Sequence, residues 1–158
     1  MTTFVARRRH RFLILASLFL GISLALPRVG WSADAEVGII AADDAYARSQ
    51  AGELIVIDVR SSYEWRQTGI PAGAQLATVH NRQGIAGFLK EVIAIAADDR
   101  NKPIALICAR GWRSAAAANY LRQKGFTHVY DVSEGMLGRD ETPGWLKREL
   151  PVEPCDNC

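Results

Sequence analysis

The 158-residue sequence lacks internal repeats and low-complexity tracts, and it contains only one long apolar run, which lies near its start. Hydrophobic residues make up 49% of the chain and charged residues 23%. This balance excludes a disordered or collagen-like polymer as the main description. The composition therefore favours one compact globular domain.

The sequence also lacks an excess of charge of either sign. Its formal net charge is +2, but five of its 19 basic residues precede residue 36, where Asp34 is the single acidic residue. Residues 36–158 carry 14 basic and 16 acidic residues, a net charge of −2. A slightly acidic surface has no surplus of cations for a phosphate backbone, so we expect no nucleic-acid partner.

Cysteine and histidine are scarce after residue 35. Only Cys108, Cys155, Cys158, His80 and His128 are present, and they show no second ligand pair at tight spacing. Zinc sites usually need two such pairs, so we expect neither a metal nor another cofactor. The two histidines are expected to be surface or strand residues rather than catalysts.

The apolar run near the start has the layout of a secretory signal peptide. Fifteen uncharged residues, Phe12–Leu26, follow an arginine cluster and precede small residues that end at Ala35. A membrane anchor is the alternative, but fifteen helical residues cover only about 22 Å of a hydrocarbon core of about 30 Å. We expect residues 1–35 to be cleaved, leaving no stable membrane anchor and a protein in an oxidising compartment such as a bacterial periplasm.

The remaining chain alternates short β-branched runs with helical stretches, which is typical of a parallel α/β sheet. Two near-continuous apolar runs indicate strands with helices on both faces. The predicted strands are Val37–Ile40, Leu54–Asp58, Gln75–Thr78, Pro103–Cys108 and His128–Val132. The predicted helices are Ala42–Gln50, Ser62–Arg66, Ile85–Ala97 and Trp112–Lys124. Gly125 should end the last helix in a left-handed conformation.

The end of the chain is predicted to be irregular. Residues 143–158 read as a short helix or turn followed by a tail, and Pro151 and Pro154 argue against regular structure there. We therefore expect a domain over residues 36–150 and a tail over residues 151–158.

The segment after the fourth predicted strand is the strongest candidate for a functional site. Ligands of open parallel sheets bind beyond the carboxyl ends of strands, and Cys108 occupies that place. Amides of the loop and the following helix N-terminus favour an anion. With Arg110 and Arg113 nearby, these features predict a Cys108 thiolate at neutral pH. Gly111 permits a tight bend with positive φ.

Each of these residues also has a purely structural interpretation. Cys108 could be a small buried apolar residue, the two arginines could be solvated surface charges, and Trp112 could contribute ordinary packing. A core cysteine, however, has no need of two arginines, a loop glycine and a helix start. The combined spacing is therefore more informative than any single residue.

The chain resembles the single-domain rhodaneses, a family of sulfurtransferases. The active-loop pattern is Cys108-x-x-Gly111-x-Arg113-Ser114. Supporting segments are Asp58-Val59-Arg60, Glu64-Trp65, Gly69-Ile70-Pro71-Ala72-Gly73-Ala74, Gly125-Phe126, Val129-Tyr130-Asp131-Val132 and Glu134-Gly135. The resemblance implies a rhodanese-like α/β fold, with a central parallel sheet of about five strands and helices on both faces. It also implies a nucleophilic cysteine, Cys108 here, that becomes a persulfide during turnover.

Two segments depart from the family pattern. The usual Gly-His-Ile-Pro-Gly-Ala has no histidine here, since Gly69 takes its place and Ala72 is an extra residue. The loop Ser133-Glu134-Gly135-Met136 stands where paired glycines are more common. These changes affect substrate identity and local loop geometry more than the fold.

The resemblance implies a two-step sulfur relay with defined roles. The Cys108 thiolate takes sulfur from a small anionic, thiosulfate-like donor and passes it to cyanide or to a thiol or protein acceptor. The substrate-binding loop comprises Ala109, Arg110, Gly111, Trp112, Arg113 and Ser114. The two arginines would hold the donor, loop amides would stabilise the persulfide, and Ser114 would either hydrogen-bond the sulfur or cap the helix.

Two other functions fit parts of the pattern. A cysteine-dependent phosphatase or arsenate reductase uses a similar loop, but related phosphatases have five residues between Cys and Arg, whereas four separate Cys108 from Arg113. A non-catalytic rhodanese-like binding or sulfur-carrier module is the other alternative. The retained cysteine and arginines argue against an inactive scaffold.

Two residue pairs outside the loop complete the candidate site. Asp58 and Arg60 are expected to support the site through a salt bridge or loop hydrogen bonds. Cys155 and Cys158 form a Cys-x-x-Cys at the end of the sequence rather than at a helix start, which argues against a thioredoxin-like site. Two interpretations remain. The pair forms a small local disulfide, or it is a redox pair that either accepts sulfur from Cys108 or forms a disulfide with Cys108.

Overall fold

The computed structural model describes residues 37–158, which contain seven short strands and four helices. The strands are β1 (Gly38–Ile39), β2 (Ile55–Asp58), β3 (Ile70–Pro71), β4 (Gln75–Leu76), β5 (Ile104–Ile107), β6 (Val129–Val132) and β7 (Val152–Glu153). Five of them form one parallel sheet in the order β1-β6-β5-β2-β4. The predicted five-stranded parallel sheet is confirmed, each strand being one to two residues shorter at an end than its predicted run.

The four helices lie where the sequence predicts them. They are α1 (Ala42–Gln50), α2 (Ser62–Thr68), α3 (Gly84–Ile95) and α4 (Trp112–Gln123). Local signals explain two of their ends. Ser61 and Glu64 form a reciprocal capping box at the start of α2, and Gly125 has the predicted positive φ, +90°, just beyond α4.

Helices cover both faces of the sheet, as predicted. On one face Ile104 and Leu106 of β5 belong to a core with Phe88 of α3 and Leu121 of α4. On the other face Ala105 and Ile107 lie in a second core, whose members outside the sheet include Ala45 of α1 and Trp145. Strand β5 is therefore buried on both sides, which is why its sequence is a continuous apolar run.

The tail differs from its prediction of no regular structure. Strand β7 pairs antiparallel with β3 in a separate two-stranded sheet. Proline lacks an amide hydrogen but keeps its carbonyl, and the Pro151 carbonyl accepts hydrogen bonds from the Ala72 amide at 3.0 Å and from Trp145 Nε1 at 2.9 Å. Pro151 therefore anchors the tail through its carbonyl oxygen.

The signal-peptide prediction for residues 1–35 lies outside the described residues. Within residues 37–158, no helix is both long enough and apolar enough to cross a bilayer.

A buried ion pair joins the end of β2 to the segment that follows it. Arg60 Nη2 lies 2.6 Å from Asp58 Oδ2, and both side chains are almost fully buried. The Arg60 guanidinium also donates to Thr68 Oγ1 and to the Gly69 carbonyl, each at 2.7 Å. The salt bridge expected from the sequence is thus present, and it fixes the end of α2 against the carboxyl edge of the sheet.

We predict that Arg60→Ala lowers the free energy of unfolding by about 3–5 kcal/mol, because it leaves the Asp58 carboxylate buried without its partner. Urea denaturation followed by circular dichroism measures the loss. Arg48→Ala is the control, since the Arg48–Glu53 pair is partly open to solvent and should contribute about 1 kcal/mol or less. Equal losses in the two variants would contradict the prediction.

Candidate functional site

Cys108 lies at the carboxyl edge of the sheet, directly after β5, and α4 begins four residues later. Gly111 is the residue before the helix and has φ +85°. A Cβ at this position would overlap the backbone carbonyl of Ser133, so both the backbone conformation and the close approach require glycine. The predicted positive-φ bend is confirmed, and it directs the start of α4 toward Cys108.

The Cys108 sulfur receives two hydrogen bonds from the loop that follows it. The Gly111 amide lies 3.1 Å and the Ser114 hydroxyl 3.4 Å from Sγ. Ser114 was predicted either to bond the sulfur or to cap the helix, and no side chain caps α4. Two donors directed at one sulfur stabilise negative charge on that atom.

The start of α4 adds further positive potential at the sulfur. The first amides of a helix have no acceptor within that helix, and the helix dipole has its positive end there. Cys108 itself is 1% exposed, so its sulfur is shielded from solvent.

The turn that follows β6 holds the backbone of the Cys108 loop in place. The amide of Met136 donates to the Cys108 carbonyl at 2.8 Å, and the amide of Leu137 donates to the Ala109 carbonyl at 2.9 Å. A Cβ on Gly135 would lie 2.5 Å from the Cys108 carbonyl oxygen. The turn after β6 therefore fixes the backbone on which the sulfur is carried, even though it lacks the family's usual paired glycines.

Arg113 is held in an ion pair with Glu64 of α2. Its guanidinium nitrogens lie 2.5 and 2.8 Å from the carboxylate oxygens. The hydrogen bond from Arg113 is the main cause that lowers the pKa of Glu64 to about 2. Glu64 in turn raises the pKa of Arg113, with a smaller contribution from Cys108. His80, predicted as a surface residue, is exposed, and its Nε2 lies 3.2 Å from Arg113 Nη1.

Arg110 and Trp112 project outward from the same loop. Arg110 is exposed, and its side chain makes one long hydrogen bond of 3.3 Å to the Gly138 carbonyl. Trp112 is 67% exposed, and the Arg139 guanidinium stacks 4.1 Å from its ring centre. These side chains form the outer surface of the loop, whereas Gly111 and Ser114 contact the sulfur.

Sequence reasoning assigned no role to Asp131, although it lies beside this site. Asp131 is in β6 and is 5% exposed, and its Oδ1 has no hydrogen-bond partner within the part of the chain that the structure describes. Burial raises its pKa to about 6, while the Ser114 hydroxyl and the Arg139 charge lower it and the Glu134 charge raises it. The signal in the sequence is an acidic residue inside an otherwise apolar strand.

The other candidates lie elsewhere in the domain. Cys155 and Cys158 form a disulfide with each other, which is the local disulfide that the sequence allowed. Arg66 of α2 donates to the Cys158 carbonyl at 2.5 Å. Among the described residues, no group of three or more His, Cys, Asp or Glu side chains is arranged to hold a metal ion.

Comparisons with known proteins agree with this architecture. The family model of the rhodanese-like domain matches residues 41–139. An uncharacterised protein of Rickettsia prowazekii is 30% identical over 98 residues, which cover 61% of this chain and 80% of that protein. A tRNA uridine(34) hydroxylase of Buchnera aphidicola is 32% identical over 86 residues, but they cover only 25% of that enzyme.

The fold is also similar to that of a solved sulfurtransferase structure. The polysulfide-sulfur transferase homodimer of Wolinella succinogenes superimposes with a TM-score of 0.58 at 25% identity, covering 77% of this chain and 81% of that one. Since the family model spans more than half of the sequence, the chain belongs to the rhodanese-like domain family.

Proposed function

We propose that this protein is a sulfurtransferase that moves sulfane sulfur from a thiosulfate-like donor to a thiol or cyanide acceptor through a persulfide on Cys108. One observation carries the proposal: a single cysteine sulfur, at the positive end of α4, accepts hydrogen bonds from the Gly111 amide and the Ser114 hydroxyl. The similarity to a polysulfide-sulfur transferase supports the same class of reaction.

The chemistry balances without an external oxidant or reductant. The Cys108 thiolate attacks the outer sulfur of thiosulfate, a new S–S bond forms, and the donor's S–S bond breaks as its electron pair leaves with sulfite. Cyanide or a thiolate then attacks the outer sulfur of the persulfide and releases the Cys108 thiolate. No general base is needed once the thiolate exists, because every step starts from an anionic nucleophile.

The same donors serve both forms of the nucleophile. A hydrogen bond to a charged acceptor is stronger than one between neutral groups, so the Gly111 amide favours both the thiolate and the persulfide anion. Donors that are already fixed in the folded protein need no reorganisation when charge develops. The Ser133–Leu137 turn, which holds the loop, thereby contributes to catalysis without touching substrate.

The two arginines of the loop have different roles toward an anionic donor. Arg113 is committed to Glu64, so its charge is partly neutralised before any donor arrives. Among residues 37–158, the Arg110 guanidinium makes one long hydrogen bond, to the Gly138 carbonyl, which leaves it able to turn toward an anion above Cys108. We assign initial capture of the donor to Arg110, and assign Arg113 the support of the Cys108 charge.

Export remains part of the proposal. The predicted signal peptide would deliver the domain to a periplasm, and a Cys155–Cys158 disulfide is stable in an oxidising compartment. There the acceptor would be a small thiol or an exported protein.

The burial of Cys108 favours one second candidate, a binding or sulfur-carrier module. A thiol with 1% exposure suits a group that is loaded elsewhere and protected from solvent. The phosphatase alternative gains no such support, because four residues rather than five separate Cys108 from Arg113.

We predict that the purified protein gains the mass of one sulfur atom after incubation with thiosulfate, and that Cys108→Ser gains none. Intact mass spectrometry measures the gain. Cys155→Ser combined with Cys158→Ser is the control, which should gain one sulfur like the wild type because Cys108 is intact.

Absence of a gain with thiosulfate, polysulfide and other sulfane donors would shift the assignment to the binding module. A gain that persists in Cys108→Ser would remove Cys108 from the mechanism. Hydrolysis of a phosphate ester by the wild type, absent from Cys108→Ser, would support the phosphatase alternative instead.

We predict that Arg110→Ala raises the KM for thiosulfate about tenfold with little change in kcat, because a charge-assisted contact of about 1.5 kcal/mol is lost in the bound donor and in the transition state alike. Steady-state formation of thiocyanate measures both constants. Arg122→Ala removes an arginine near the opposite end of α4 and is the matched control. An unchanged KM in Arg110→Ala would refute capture by Arg110.

A further inference from the structure

The proposed sulfur relay gives no role to a cleft beside the active loop. The cleft has a volume of about 630 Å³ and is lined by residues 78–83, which follow β4, and by residues of α3. Sites for small molecules are concave and commonly have volumes of about 300–1,000 Å³. Thiosulfate is too small an anion to fill such a space, so the cleft suits a ligand of peptide size rather than the sulfur donor.

The cleft adjoins the active loop through His80. This side chain lines the cleft, and its Nε2 lies 3.2 Å from Arg113 Nη1. Arg113 is in the first turn of α4, next to Ser114, whose hydroxyl lies 3.4 Å from the Cys108 sulfur. A ligand that fills the cleft therefore has one end beside the residues that hold the sulfur.

One wall of the cleft is fixed by hydrogen bonds within the protein. Asn81 Oδ1 accepts from the Gln83 amide at 2.8 Å, and Asn81 Nδ2 donates to Glu91 of α3 at 2.6 Å. Gly87 of α3 leaves the space that the Asn81 side chain occupies, because a Cβ there would overlap Asn81 Oδ1. Residues 78–83 are thus held against α3, and a site that is already formed loses less conformational entropy when a ligand binds.

Positive charge predominates in this cleft. Arg82 and Lys90 line it, both are exposed, and within residues 37–158 neither takes part in a salt bridge. Among the described residues of the lining, Glu91 is the single acidic one, and its Oε1 already accepts from Asn81. Two cations that lack an acidic partner in this part of the chain favour a ligand that carries negative charge.

We propose that this cleft binds the sulfur acceptor, and that the acceptor is a small anionic thiol whose carboxylate groups pair with Arg82 and Lys90. Its thiol lies at the end of the cleft that His80 and Arg113 form. The acceptor thiolate makes an S–S bond to the outer sulfur of the persulfide, the S–S bond of the persulfide breaks, and its electron pair returns to Cys108 as the thiolate. The inference rests on the proposed function, because it gives the acceptor of that reaction a binding site.

Glutathione and its diester are matched probes for this site. Both are peptide-sized and carry the same thiol, but the carboxylates of the diester are neutralised. We expect the KM for glutathione to be about tenfold lower than the KM for the diester, because a hydrogen bond to a charged group is stronger than one to a neutral group. Sulfite released at saturating thiosulfate measures each KM.

The preference for glutathione should disappear when Arg82→Gln is combined with Lys90→Gln. Lys102→Gln combined with Lys124→Gln is the matched control, since it removes the same charge from exposed positions outside the cleft. The control should keep the preference. A preference that is absent from the wild type, or that persists in the cleft variant, would overturn the proposal.

Binding of S-methylglutathione tests the cleft without sulfur transfer. This thioether keeps the carboxylates of glutathione and cannot accept sulfur. We expect isothermal titration calorimetry to give a Kd that rises about tenfold in the cleft variant and is unchanged in the control variant, because the lost contacts are charge-assisted. Absence of binding to the wild type, or equal Kd values in the wild type and the cleft variant, would exclude the cleft as the acceptor site.

The mass measurement after thiosulfate separates this inference from the proposed function. A protein that gains no sulfur but binds S-methylglutathione through Arg82 and Lys90 retains the anion-binding cleft and loses the relay. A protein that gains sulfur but does not distinguish glutathione from its diester retains the relay and loses the acceptor site.

Discussion

The hydrogen bond from the Gly111 amide to the Cys108 sulfur is the contact on which the site depends. The hydrogen bond forms because β5, which is buried on both faces, fixes the position of Cys108 at the carboxyl edge of the sheet. Gly111, with φ +85°, then turns the chain into α4. A residue with a side chain at 111 would meet the Ser133 carbonyl and displace the loop. The sulfur, the bend and the helix start therefore form one unit whose geometry the sheet determines.

Much of this arrangement could be predicted from the sequence because its signals are local. Apolar runs identified β2 and β5, and glycines marked the bend before α4 and the end of that helix. Strands β3 and β7 were missed because β3 contains Pro71 and β7 lies between Pro151 and Pro154, and proline argues against a strand. A sequence pattern does not reveal that the Pro151 carbonyl accepts hydrogen bonds.

Long-range partners were also beyond the sequence signals. Glu64 and Arg113 are 49 residues apart, and spacing alone could not show that the carboxylate occupies the arginine predicted to hold a donor. The sequence places Asp131 in a predicted strand, and only the register of β6 against β5, which pairs it with Leu106, shows that it lies near the loop after β5. In both cases the information lies in how strand ends and helix starts meet at one edge of the sheet.

The loop after β5 separates its inner and outer residues by function. Its inner residues, Gly111 and Ser114, have little freedom to change, since the turn after β6 fixes the backbone of Cys108 and Ala109 by two amide hydrogen bonds. Its outer residues, Arg110 and Trp112, face solvent and carry no part of that framework. New partners can therefore arise by exchange of these two side chains while the chemistry beneath them is conserved.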